Sequence, residues 1–217
     1  MKFTVITLFP DFVKSLENYS IIGRAINKKL IELETLNLRD FGIGNYKQID
    51  DKPFGGNPGM LMRVDVVVPA IREATKTNHK IKQKTVLLCP TGKKFDQKMA
   101  NDLAKLDGVV LVCGHYEGFD KRIEDYVDEK ISIGDYVLSG GEIPAMTIID
   151  SVSRQVDGVL GNPESLNAES FSNSQDAAPL EAPQYTRPRD FEGKTIPEVL
   201  LSGDPKKINE WYENYKY

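Results

Sequence analysis

Five short stretches in the first two-thirds of the chain constrain its fold more than anything else in it. They are residues 3–8 (FTVITL), 32–38 (ELETLNL), 85–89 (TVLLC), 109–113 (VVLVC) and 133–138 (IGDYVL). Each is shorter than a stable helix, and most are apolar and rich in β-branched side chains, so each predicts a strand. Between them the apolar residues recur at helical spacing. One helix is expected from Asp11, with Phe12, Leu16, Ile21 and Ile22 on its apolar side. Another is capped by Asp65 and carries Val68, Ile71 and Ala74. Three more are expected over residues 95–106, 119–127 and 144–152. Short strands alternating with amphipathic helices imply an α/β fold, a mostly parallel sheet covered by helices on both faces.

Residues 161–184 break this rhythm. They are rich in Asn, Ser, Pro and acid, carry Glu164, Glu169, Asp176 and Glu181 and no Lys or Arg, and predict a mobile acidic linker. Beyond it, Pro197 starts a short helix that ends at Gly203, and Asp204-Pro205 pairs a cap with a proline at the first helical position. The helix that follows sets Ile208, Trp211, Tyr212 and Tyr215 on one face. The expected organisation is therefore a domain over 1–160, the linker over 161–184 and a small helical domain over 185–217. A net charge of −4 argues weakly against nucleic-acid binding, but all of that excess lies in the linker, so the body does not repel phosphate. No signal pattern opens the chain, no apolar stretch approaches a membrane span, and two cysteines are too few for a disulfide framework. A reduced, cytoplasmic protein is expected.

Two glycine-paired strings lie where a predicted strand turns into a helix, the side on which open α/β sheets bind ligands. The first is Cys113-Gly114-His115-Tyr116-Glu117-Gly118-Phe119-Asp120; the second runs from Ile133-Gly134-Asp135-Tyr136 through Gly140-Gly141 to Pro144 and Met146. Each reads equally as a tight βα turn. A third loop, Phe54-Gly55-Gly56-Asn57-Pro58-Gly59-Met60, either cradles a phosphate or flat ring or merely turns a corner. Dinucleotide and Walker glycine spacings are absent, and the only histidines, His79 and His115, offer no zinc spacing with Cys89 and Cys113.

Together with Leu8-Phe9-Pro10, Gly23-Arg24-Ala25, Arg39-Asp40-Phe41, the string from Asp50 to Met60, Cys89-Pro90-Thr91-Gly92, Pro183-Gln184-Tyr185-Thr186-Arg187-Pro188 and Val199-Leu200-Leu201-Ser202-Gly203, these strings resemble the bacterial tRNA (guanine37-N1)-methyltransferases. That family belongs to the SPOUT superfamily of methyltransferases with a C-terminal trefoil knot. The resemblance spans nearly the whole chain, in order. It implies methylation of N1 of guanine 37 in tRNA, supporting reading-frame maintenance, with S-adenosylmethionine as methyl donor, help from magnesium, and a homodimer whose active site is shared between subunits. By matching position the cofactor would lie against Leu88, Pro90, Gly114, Tyr116, Gly118, Ile133, Gly134, Asp135, Tyr136, Val137, Leu138, Gly140, Gly141 and Pro144.

N1 of guanine carries a proton at neutral pH, so a base must remove it as the new bond forms. The resemblance assigns this to Glu169, where the family commonly has Asp. Arg154 would stabilise charge on O6, and Glu117 would orient Arg154 or hold magnesium through oxygen contacts. The linker is a few residues longer than usual, and the basic helical stretch that family members carry after the position of Trp211 is not matched here; weaker tRNA binding is expected from that. Two other readings share the fold: a SPOUT enzyme with another RNA target, and a non-catalytic RNA- or cofactor-binding relative.

Overall fold

The computed structural model describes residues 1–76, 81–161, 170–171 and 182–215. They form two compact units, Met1–Gly161 and Asn162–Tyr217, each described by itself. In the first, five strands, β1 (Lys2–Thr7), β2 (Glu32–Asn37), β5 (Gln83–Lys94), β6 (Gly108–Val112) and β7 (Glu129–Ser132), make one sheet in the order β2-β1-β6-β5-β7. Every neighbouring pair is parallel. The short pair β3 (Asp50–Asp51) and β4 (Leu61–Met62) is antiparallel and stands apart from it.

Strand periodicity splits the core into two layers. On one face Phe3 and Val5 of β1, Val86 and Leu88 of β5, and Val109 and Leu111 of β6 pack against four helices. These are α1 (Pro10–Lys14), α2 (Ser20–Asn27), α4 (Gln97–Ala104) and α5 (Glu142–Ser153). On the other, Ile6, Leu87, Val110 and Val112 meet Val66, Val67, Ala70 and Ile71 of α3 (Val64–Ala74). Every residue of β6 is buried, as a strand covered on both faces requires.

Several local expectations need correction. The helix predicted from Asp11 is three pieces, α1, a 3-10 turn over Ser15–Asn18, and α2, because Tyr19 is extended and α2 folds back on the turn. Gly23 makes that fold-back feasible: a Cβ there would stand 2.5 Å from the Glu17 carbonyl oxygen. Asp65 does not cap α3; it pairs with Arg63 at 2.7 Å, and no side chain caps that helix. Residues 119–127 hold only a 3-10 helix, Lys121–Tyr126, with Ile123 its one buried residue.

The most consequential correction concerns residues 133–138. The strand is four residues long and lies upstream, at Glu129–Ser132, while 133–138 form an irregular loop. Ser132 Oγ donates to the Gly134 carbonyl at 2.9 Å and turns the chain out of the sheet. Tyr136 and Val137 are exposed, so their apolarity belongs to a surface and not to a core. The helices α4, capped by Asp96, and α5 fall where the sequence put them, to within a few residues.

The second unit is not purely helical. Among its described residues is an antiparallel hairpin, β8 (Asp190–Phe191) and β9 (Lys194–Thr195), turned by Glu192 and Gly193, both at positive φ as a tight hairpin demands. A 3-10 helix (Glu198–Leu201) precedes α6 (Pro205–Asn214), whose cap Asp204 accepts from the Lys206 and Lys207 amides. Trp211 packs against Tyr185, Tyr212 and Tyr215, with ring centroids 4.7–6.2 Å apart.

Candidate functional site

The carboxyl ends of β5, β6 and β7 open on a cavity of about 290 Å³, near the lower end for small-molecule sites. Three segments wall it: 88–91, 114–119 and 131–141, with Pro144 behind. The first is a detour. Leu88 and Lys93 both pair with Ile131, so the four residues between them leave the ladder and project into the wall. Gly92 permits this, since a Cβ on it would lie 2.6 Å from the Ile131 backbone.

The second segment follows β6. Tyr116 sits at φ 60 and Gly118 at φ 109, turning the chain tightly over the cavity, and nothing stands within 4 Å of where a Cβ on Gly118 would be. A left-handed Tyr is strained, and such strain persists only where surroundings enforce it. Here the glycine-rich loop 54–60 helps: the Glu117 amide donates to the Met60 carbonyl at 3.0 Å and Met62 to Gly118 at 2.8 Å.

The third segment is tied to the second. The Gly141 amide donates to the Gly114 carbonyl at 2.9 Å, and His115 and Gly140 form an isolated bridge. Underneath lies a buried polar group. Glu142, the first residue of α5, is 4% exposed; it accepts from Thr7 Oγ1 at 2.6 Å and from His115 Nε2 at 2.8 and 3.0 Å. Carboxylate charge at a helix N-terminus is favourable, which offsets part of the cost of burying it. The Cys113 thiol next to it is fully enclosed, and burial first, then the nearby Glu142 charge, pushes its pKa well above the usual thiol value.

Thirteen of the fourteen predicted cofactor residues line this cavity: Leu88, Pro90, Gly114, Tyr116, Gly118, Ile133, Gly134, Tyr136, Val137, Leu138, Gly140, Gly141 and Pro144. Asp135 does not; it points away to pair with Lys94. Glu117 does line it, packed over Gly59. Arg154 caps the far end of α5 and is not on the wall. Twelve residues of helix put it about 18 Å along the axis from Glu142. Glu169 lies outside the described residues, as does His79. Among the described residues no three His, Cys, Asp or Glu side chains gather as a metal site. His115, Cys89, Thr91 and Ser132 also line the cavity and were missed, as was Thr7 beneath it. A Thr and a Glu separated by 135 positions leave no sequence signal of their contact.

Comparison with known proteins adds an independent finding. Residues 1–216 match the family described as tRNA (Guanine-1)-methyltransferase TrmD. A Clostridium botulinum protein named tRNA (guanine-N(1)-)-methyltransferase is 48% identical over 211 residues, 97% of this chain and 85% of its own length. A protein of the same name from Staphylococcus carnosus is 45% identical over 217 residues, covering 100% of this chain and 86% of its own.

Proposed function

Since the chain belongs to the tRNA (guanine-1)-methyltransferase family, we propose that its cavity holds the methyl donor S-adenosylmethionine and that the guanine it methylates is base 37. The chain is an enzyme of tRNA modification that methylates N1 of guanine. The observation that carries the cofactor reading is the three-loop cavity at the carboxyl edge of the sheet. Leu88, Ile133 and Leu138 offer apolar wall for a flat ring, and the glycines at 114, 118, 134, 140 and 141 leave the wall free of bulk, so that a ligand can come close to its backbone. That combination suits a nucleoside joined to an amino acid. S-adenosylmethionine supplies a methyl group already activated on a sulfonium.

The remaining chemistry belongs to side chains. Glu169 takes the N1 proton of guanine, and Arg154 stabilises the negative charge that spreads to O6. The length of α5 separates Arg154 from this subunit's cavity, which supports an active site completed by the Arg154 and Glu169 of a second copy. The resemblance implies a trefoil knot, and the bonding of 140–141 to 114–115 just before α5 is in keeping with that reading. Glu117, with no group of three metal-ligating side chains among the described residues, is the carboxylate on the wall that would face a magnesium ion, and no step is assigned to that ion. No described helix is long and apolar enough to cross a membrane, and both cysteines are free, which supports action beside tRNA in the cytoplasm. The test is methyl transfer to tRNA transcripts bearing G or A at position 37. Methylation of the G37 transcript alone is expected; equal methylation of both would refute the assignment.

A further inference from the structure

Three chain segments distant in sequence converge on one carboxylate. Thr7 ends β1, His115 opens the loop after β6, and Glu142 begins α5. Thr7 donates to Glu142, and because an ionised carboxylate can only accept, a charged Glu142 requires the proton on His115 Nε2, donated inward. Thr7 is fixed in turn: its hydroxyl donates to Glu142 and accepts from the Phe9 amide at 2.9 Å. Phe9 stands edge-on to the His115 ring with centroids 5.2 Å apart. Gly140 has no room for a side chain; a Cβ there would lie 2.3 Å from His115 Cε1.

Among the described residues no Lys or Arg pairs with Glu142; the basic side chain that reaches it is His115, through Nε2 at 2.8 Å. A buried carboxylate is costly, and hydrophobic packing of the same volume often serves stability as well or better. What apolar packing cannot do is fix the direction of an imidazole and, with it, the backbone on either side. Resting on the reading of the cavity as the S-adenosylmethionine site, we propose that Glu142 is a positioning residue. Through His115 it holds the cofactor-facing backbone of 114–118 in register with the turn at 139–141. Among the described residues the other ring nitrogen, Nδ1, has no partner, and His115 lines the cavity. The inward hydrogen bond thus also decides which ring nitrogen is left for a ligand.

The test uses the full chain and measures S-adenosylmethionine binding by calorimetry alongside thermal melting. Glu142→Gln keeps shape but replaces one acceptor by a donor; it is expected to weaken binding about 10–100-fold, the factor carried by one or two charge-assisted hydrogen bonds. Thr7→Val, outside the cavity wall, should weaken it about 3–10-fold, and carries the test if Glu142→Gln does not fold. In steady state the KM for S-adenosylmethionine should rise with the dissociation constant, while the KM for tRNA and kcat at saturating cofactor stay within about threefold. In a His115→Asn background, Glu142→Gln should add little further loss, because both act on one contact. Lower melting temperatures with unchanged affinity, or losses that simply multiply, would overturn the proposal and leave Glu142 a structural residue. If Leu138→Trp, which should obstruct the cavity, leaves the parent's binding intact, the reading of the cavity itself fails first.

Discussion

Gly141 is the point at which two of the loops that wall the cavity meet, and replacing it by Ala isolates their contact. Its φ of −84° is open to any residue, so backbone strain does not enter. The whole cost is contact: the new Cβ would lie 2.6 Å from Cys113 Cα and 2.8 Å from the Gly114 amide nitrogen. Both are backbone atoms that no rotamer can move aside. Restoring an ordinary separation of about 3.5 Å asks the start of α5 to withdraw by roughly 0.8 Å. The 2.9 Å bond from the Gly141 amide to the Gly114 carbonyl would then stretch beyond hydrogen-bonding range. Overpacking costs about 1–3 kcal/mol, and leaving a part-buried amide pair unsatisfied adds about 1–3 kcal/mol. The expected destabilisation is about 2–6 kcal/mol, or roughly 5–20 °C in melting temperature for a chain of this size. Calorimetric melting measures it, with Gly161→Ala as control, since nothing lies within 4 Å of that site. S-adenosylmethionine binding should weaken in parallel. A melting temperature within about 2 °C of the parent, with normal binding, would refute the argument that this close approach organises the site.

Other expected outcomes follow from the same geometry and chemistry. Glu169→Gln should cut turnover about 10²–10⁴-fold with cofactor binding retained, whereas Glu169→Asp should keep substantial activity; full turnover in the Gln variant would remove Glu169 from the role of base. Mixing Arg154→Ala chains with Gly114→Trp chains, each inactive alone, should restore one of two shared sites per heterodimer. Verified heterodimers without activity would mean that each subunit works alone. Cys113 is fully enclosed and its thiol pKa is driven well up by burial and Glu142, so the native chain should alkylate at Cys89 only, and more slowly with S-adenosylmethionine bound. Modification of Cys113 without unfolding, read by peptide mass, would contradict the enclosure.

How far the sequence disclosed all this depended on whether the deciding interaction was local. Strands β1, β5 and β6 were legible because burial on both faces writes an unbroken apolar run, as in Val109-Val110-Leu111-Val112. The Asp96 and Asp204 caps differ in the same respect: only the second was read, because Pro205 beside it adds a second local signal. Residues 133–138 misled for a reason that bears on function. Their apolar residues were attributed to a strand, yet only Ile133 packs on the core, while Tyr136, Val137 and Leu138 face a cavity or solvent. A cavity wall imitates a core in composition while lacking a core's partners.

The Thr7–Glu142–His115 group shows the opposite failure. Glu142 opening a helix after two glycines suggests nothing more than a solvated first-turn acid, the commonest state of such a residue. Its burial is decided by β1, whose end supplies a hydroxyl at a distance of 135 residues along the chain. No pattern of period 2 or 3.6 contains that information, because it exists only once β1 and β6 are neighbours in the sheet and α5 has been laid across their ends. Resemblance to a family located the backbone strings without saying what each side chain inside them touches: Asp135 pairs with Lys94, whereas His115 lines the cavity. Side chains that line a pocket and side chains that hold its wall in place share the same strings, and coordinates separate them by what each one touches.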